Sequence, residues 1–315
     1  MAAFPDTEVT VPPEAEGERL DRFLSRRLPA LCPGLRAGRR LCAEGRVSVR
    51  NHPAQASRRL HAGETVSISA PPPVEQAERP FLVWQGSGLA ALCKPSGLAT
   101  AHIAGSSRPS LEAMLPTLLN GSASFAPRLL NRLDNETSGL VLAALDEEGL
   151  RLWQQSEDAG GIQKFYLAIC QGILEPGSIR VIQSPLDTSK RRVTRVLEGM
   201  APPIRRTEAT GLAVLKGTGR QPACTLAGCR IFKGARHQIR AHLASIGLPL
   251  LGDALYGSSA PGPFRLHHTR FVLGSIAPLA LPDWLAELPD VCRPAAEKWL
   301  DKGINGSKLS DQRGE

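Results

Sequence analysis

The chain has 315 residues, 42% hydrophobic and 22% charged, a globular composition with enough length for two domains. No run of about 18 to 20 apolar residues occurs and the N-terminus carries no apolar core of a secretory signal, so neither a membrane span nor a signal peptide is expected. The seven cysteines are odd in number, scattered and free of any CxxC pair, which points to a reducing, cytoplasmic setting and against structural zinc. The net charge of +8 is uneven. Residues 17–70 hold eleven arginines against four acids (+7), residues 190–206 hold six basic residues against Glu198 (+5), and residues 209–252 hold six and no acid (+6). Since these sum to +18, the rest of the chain carries −10. Basic stretches on an otherwise acidic body suit a polyanion, most simply a nucleic acid.

In chain order, residues 1–16 are rich in Pro and Glu and are expected to be disordered. Leu20, Phe23, Leu24 and Leu28 then recur on one helical face, with Arg19, Arg22, Arg26 and Arg27 off it. A second short helix is predicted over 35–44, ended by Gly45, followed by alternating strands at Val47/Val49 and Val66/Ile68. Residues 17–70 thus read as a small α/β module. Residues 71–80, opening on three prolines, read as a linker.

Beyond it, apolar runs predict strands at 81–84, 89–93, 140–145, 165–170, 211–215 and 224–232, with helices at about 110–119, 146–155 and 237–245. This irregular alternation lacks βαβ periodicity and indicates an α+β domain over 81–290 with a mixed, largely antiparallel sheet. Residues 291–315 are expected to be a C-terminal extension, solvated in its last dozen positions.

Three segments carry possible chemistry. In NRLDNETSG, Asp134 lies in a loop between two strands; taken alone, the segment reads more readily as a turn whose Asp only caps the backbone, and Glu136 is a second carboxylate. In GARHQIRAHL, Arg236 and Arg240 stand four apart and are expected on one face near the start of a helix, a good anion site. His237 and His242 are five apart and lack the Glu of a zinc helix, so no metal is expected. In KFYLAI, Tyr166 is expected to face opposite to Phe165 and Leu167. No phosphate-loop, dinucleotide or serine-nucleophile motif occurs, so no cofactor is expected.

Taken together, these segments resemble the RluA family of pseudouridine synthases, with its strings HRLDxxTSGLLL, KxYLA, GRTHQIRVHL and GxPLxGDxLYG. The resemblance covers about residues 81–289 and includes Lys94-Pro95-Ser96-Gly97-Leu98 and Leu266-His267. The first module resembles the small ribosomal-protein-type (alpha-L) RNA-binding domain, through GERLDRFL, GRV and AGETVSI. The resemblance implies isomerisation of uridine in RNA to pseudouridine without cofactor or metal, most simply in large-subunit rRNA, with tRNA as the alternative substrate.

By the same resemblance, Asp134 is the catalytic carboxylate, as nucleophile or as base at the ribose 2′ position. Tyr166 packs on the flipped base and is a candidate for removing the proton at carbon 5, and Arg240 pairs with the carboxylate. Arg132, Arg236, His237 and Gln238 are expected to contact RNA, and Arg36, Arg39, Arg40, Arg58 and Arg59 of the first module to grip phosphates. Two departures stand out: Asn131 replaces the usual His before RLD, and Ala235-Arg236 replaces Arg-Thr before HQ. They keep open a non-catalytic rRNA-binding assembly factor on the same fold. A hydrolase of free nucleosides would not need the basic module. A monomer is the default assembly.

Overall fold

A computed structural model of the chain describes residues 7–29, 32–43, 46–50, 52–69, 79–102, 108–119, 125–189, 192–217, 222–258 and 262–310. It divides into two compact units, Met1–Glu78 and Arg79–Glu315. The division falls inside segment 71–80, of which residues 71–78 lie outside the described residues.

The first unit contains β1 (Thr7–Thr10), α1 (Leu20–Arg27), α2 (Leu35–Ala43), β2 (Val47–Val49), β3 (His52–Pro53) and β4 (Thr65–Ile68). The strands form an antiparallel sheet in the order β1-β4-β2-β3. The α1 stripe goes inward: Leu20, Phe23 and Leu24 are buried against Val47, Val49, Val66 and Ile68. Each such side chain contributes about 1.5–3 kcal/mol on burial. The expected disorder of residues 1–16 does not extend to residues 7–16. Thr7–Thr10 pair along β4, and Val11 and Ala15 are buried in the same core, apolar anchors that outweigh the polar composition around them. Residues 1–6 lie outside the described residues.

The second unit contains β5 (Phe81–Gly86), β6 (Leu89–Lys94), α3 (Leu111–Leu118), β7 (Arg128–Leu129), β8 (Ser138–Ala144), α4 (Glu147–Asp158), β9 (Ile162–Gln171), β10 (Ile179–Ile182), β11 (Leu186–Asp187), β12 (Arg195–Val196), β13 (Thr207–Leu215), β14 (Cys224–Ile231), α5 (Gln238–Ser245), β15 (Leu266–Leu273) and α6 (Cys292–Ser310). Its main sheet runs β10-β13-β14-β9-β15-β8-β6-β5, with β7 beside β8. All pairings in it are antiparallel except β15 with β8. The fold is therefore α+β with a mixed, largely antiparallel sheet.

Alternation along β9 sets the two faces of this sheet. Tyr166, Ala168 and Cys170 pack with Ile239 and Leu243 of α5. Leu167 and Ile169 pack on the other face with Cys292 and Ala296 of α6, while Phe165 meets Leu300. The C-terminal segment is accordingly part of the domain, and its helix continues to Ser310 where a solvated tail was expected from residue 304. Its apolar stripe of Cys292, Ala296 and Leu300 has a sheet to cover, and Gly228 and Gly303 leave room where Trp299 and Phe165 approach. Side chains 304–310 and residues 311–315 lie outside the described residues.

Candidate active site

Asp134 sits in the loop between β7 and β8, and the neighbouring 94–100 segment holds that loop. Lys94 is fully buried at the end of β6, and its ammonium donates to the carbonyls of Pro95 (2.8 Å), Leu98 (2.8 Å) and Asn135 (3.3 Å). Ser96 donates to the Glu136 carbonyl (2.7 Å). The Thr100 hydroxyl donates to the Leu133 carbonyl (2.7 Å) and accepts from the Leu133 amide (3.2 Å). Asn131, where the resembled motif has His, accepts from the Leu142 amide of β8 (2.7 Å) and so ties the loop to that strand. Gly139 has a φ of +108°, and a Cβ there would run into the His268 backbone of β15. The glycine of TSG is thus required by the close parallel approach of two strands.

Arg240, in the first turn of α5, faces this loop. Its Nη1 donates to Asp134 Oδ2 (3.2 Å) and lies 3.7 Å from Glu136 Oε2. Its other edge makes a two-pronged bond to Asp253, Nε to Oδ2 at 2.8 Å and Nη2 to Oδ1 at 2.9 Å. Burial opposes the guanidinium charge, but the hydrogen bonds and charge of Asp253, followed by those of Asp134, outweigh it and raise the pKa of Arg240. Arg240 is a fixed cation spanning two carboxylates, with Tyr256 and Phe264 flanking it.

Tyr166, from the central strand β9, borders the same cleft, and His268 of β15 stacks on its ring at 4.5 Å. The His268 ring donates from Nδ1 to the Leu140 carbonyl (2.6 Å), which fixes its plane. Burial, reinforced by the charge of Asp134, raises the pKa of the Tyr166 phenol. Burial also pulls the Lys94 ammonium down to about 8, against the opposing charges of Asp134, Cys93 and Glu136.

The cleft holds about 1300 Å³, room for an extruded nucleotide, and is bordered by Asp134, Tyr166 and Arg240 together with Arg108, Arg132, Arg192 and Arg236. The three expected catalytic side chains are therefore brought together, and Arg132 and His237 lie beside them.

Other expectations need correction. Arg236 and Arg240 do not share a helix face. The helix begins at Gln238, after His237 adopts a left-handed conformation (φ 54°), so Arg236 lies in the preceding turn and reaches the Thr188 carbonyl (2.9 Å). Gln238 is not an RNA-facing group. It is buried, accepts from the Ala235 amide (3.0 Å) and donates to the carbonyls of Arg205 (2.9 Å) and Arg206 (3.2 Å). These bonds fix the turn that aims His237 and Arg240.

In the first unit Arg36 is exposed, whereas Arg39 is paired with buried Asp21 (2.9 Å), Arg58 with buried Glu64 (3.0 Å), and Arg59 donates to the Gly17 carbonyl (2.8 Å). The side chain of Arg40 lies outside the described residues. Sequence reasoning missed Asp253, Tyr256, His268 and the structural use of Lys94. The GDALYG string contains the first two, but only folding shows that they face Arg240 and His237. Among the described residues no group of three or more His, Cys, Asp or Glu is arranged to hold a metal, and no helix is long and apolar enough to cross a membrane.

Comparison with known proteins agrees with this architecture. Residues 88–245 match the family model described as RNA pseudouridylate synthase. An uncharacterized RNA pseudouridine synthase of Chloroflexus aurantiacus is 30% identical over 271 residues, covering 83% of this chain and 81% of that one. Ribosomal large subunit pseudouridine synthase C of Escherichia coli is 29% identical over 269 residues, covering 79% of each. Among solved structures, human RNA pseudouridylate synthase domain containing 1 shares the fold, with a TM-score of 0.54 at 19% identity over 68% of this chain and 88% of that one. Fold and relatives define an isomerase acting on RNA. The chain belongs to the RNA pseudouridylate synthase family.

Proposed function

We propose that this synthase modifies large-subunit rRNA and that Asp134 starts the reaction. The observation carrying the reading is the array Asp134–Arg240–Asp253 set beside Tyr166 in one cleft. Relatives named ribosomal large subunit pseudouridine synthases C and D support rRNA over tRNA as the substrate.

Isomerisation breaks the bond from base nitrogen to ribose and remakes it at carbon 5, so both ends of that bond must be reachable. The uridine is therefore taken out of the stack, at a cost of a few kcal/mol that ring stacking and phosphate contacts offset. Arg132 and Arg236 border the cleft where the flanking phosphates would lie. Asp134 acts as the nucleophile on ribose or as the base at its 2′ position, and the bond from Arg240 holds its carboxylate in place for either role. Asp253 holds Arg240 in place, so that donors do not reorganise as charge shifts in the reaction. Tyr166 presents its ring to the flipped base, with His268 backing it. The raised phenol pKa disfavours a resting phenolate, so stacking suits Tyr166 better than abstraction of the carbon 5 proton.

The first unit acts as an RNA-binding module of the alpha-L type. Arg36, exposed on this unit, contacts phosphates without reading sequence, whereas Arg39, Arg58 and Arg59 are held by Asp21, Glu64 and the Gly17 carbonyl. The working unit is a monomer by default, and it works in a reducing cytoplasm where its seven cysteines stay reduced.

Pseudouridine mapping of large-subunit rRNA from cells with and without the protein tests the reading. A modified position that vanishes on deletion and returns with wild type but not with Asp134→Asn supports it. Maps that do not change on deletion contradict it.

A further inference from the structure

His237 has no role in the proposed chemistry, yet its backbone and both ring nitrogens are constrained. Its left-handed φ of 54° is a conformation that a non-glycine residue adopts at a cost, and such strain persists only where the surroundings enforce it. Here the Gln238 side chain, buried and bonded to three backbone groups, enforces the turn. The imidazole is thereby placed between Asp134 and Tyr256.

The ring nitrogens can be assigned from their neighbours. Nε2 lies 3.7 Å from Asp134 Oδ1, the carboxylate oxygen that Arg240 does not bond. A carboxylate faces a nitrogen favourably only if that nitrogen carries a hydrogen. Nδ1 lies 2.9 Å from the Tyr256 hydroxyl, and that hydroxyl already accepts from the Thr194 amide at 2.8 Å. Its single hydrogen is then free to point at Nδ1. The two assignments agree on one neutral tautomer, protonated at Nε2 and accepting at Nδ1. A continuous line of polarity thus runs from the Thr194 amide through Tyr256 and His237 to Asp134.

We propose that His237 is a positioning residue for Asp134, held in its Nε2–H tautomer by Tyr256 and presenting that hydrogen to the carboxylate oxygen opposite Arg240. The inference rests on the reading of Asp134 as the reacting carboxylate and adds a second donor to it. The 3.7 Å separation is longer than a hydrogen bond, as such contacts commonly are before the reacting complex forms.

The groups facing His237 are Asp134 from the β7–β8 loop, Arg240 from α5, Arg236 from the turn before it, and Asp253 and Tyr256 from the 252–257 turn. Burial lowers the His237 pKa, Asp134 raises it, and Arg240 and Arg236 lower it, so the neutral ring is the form present near neutrality. Protonation at Nδ1 would also displace the Tyr256 hydrogen from its acceptor.

The test uses long-range proton–nitrogen correlation NMR on the labelled full chain, titrated between about pH 5 and 8, where histidines change charge. The His237 signals, assigned with His237→Asn, are expected to report the Nε2–H tautomer. Its pKa should fall further in Asp134→Asn, which removes the anion, and rise in Tyr256→Phe, which removes the hydroxyl donor. An Nδ1–H tautomer, or a His237 pKa unmoved by Asp134→Asn, overturns the proposal.

These spectra need no RNA and no turnover, so their outcome is separate from whether Asp134 is catalytic. The second arm uses His237→Asn, in which Asn tolerates the left-handed backbone but does not reach Asp134. With in-vitro-transcribed large-subunit rRNA at saturation, its single-turnover rate is expected to drop about tenfold, the loss of one hydrogen bond to a charged group, with little change in RNA Kd. Weakened RNA binding with an undiminished saturated rate assigns His237 to RNA contact and overturns the proposal.

Discussion

Asp253→Asn isolates the support behind the catalytic pair without touching Asp134. Asp253 is buried (1% exposed) and holds Arg240 (5% exposed) through two bonds of 2.8 and 2.9 Å. Removing one partner of a buried pair costs about 3–5 kcal/mol, because the remaining charge stays desolvated. Asp134 and Glu136 still neighbour the guanidinium, which places the expected loss at the lower end, about 3 kcal/mol. For a unit of this size each kcal/mol shifts Tm by about 2–4 °C, so calorimetry should show a fall of about 6–12 °C in the transition of the second unit. The new amide also turns a donor toward the guanidinium, freeing Arg240 to swing. The saturated rate should therefore fall in the fraction that remains folded. A fall of less than about 2 °C, with the rate intact, would refute the claim that Asp253 fixes Arg240.

Arg240→Lys keeps the charge but cannot bridge Asp134 and Asp253 at once. A rate loss of about a hundredfold with near-normal folding by circular dichroism is expected. Lys94→Met leaves three loop carbonyls without their donor and should lower stability by about 2–4 kcal/mol in urea unfolding. Lys94 also sets a pH dependence. Its folded pKa of about 8 lies below the ordinary 10.5, so between those values the unfolded chain binds the extra proton. Stability relative to Lys94→Met should therefore shift in favour of wild type as pH rises from about 8 toward 10.

In the first unit, the hydrogen bond from Arg19, helped by Arg39 against the effect of burial, holds the Asp21 carboxyl down at about 2. That stability is present above the ordinary value of 3.8 and is lost as pH falls from there through about 2. Asp21→Asn should flatten this acid limb in the amide resonances of α1 recorded on the full chain.

The legible parts of the fold were those with local periodicity. The stripe of Leu20, Phe23 and Leu24 and the alternation of Phe165, Tyr166 and Leu167 follow from backbone geometry alone, and the structure places them as that geometry demands. The strand β15 was not legible. LHHTRFVL is buried along its whole length but carries two His, a Thr and an Arg, so it shows neither alternation nor an apolar run. β1 was hidden because only four residues pair, inside a segment dominated by Pro and Glu.

At the site, the loop, the strand tyrosine and the helix arginine were legible through motifs. Asp253 was not, because its contact with Arg240 depends on how the chain turns after α5. The spacing of Arg236 and Arg240 misled, since it presumes a helix that the left-handed His237 delays.

The most direct test compares wild type with Asp134→Asn under single-turnover conditions on unmodified large-subunit rRNA, read by chemical mapping of pseudouridine. Asn keeps the size of the side chain and an oxygen for Arg240, so folding and RNA affinity should hold while product formation disappears. Pseudouridine formed by the variant at the wild-type rate would contradict the central claim that this carboxylate performs the reaction.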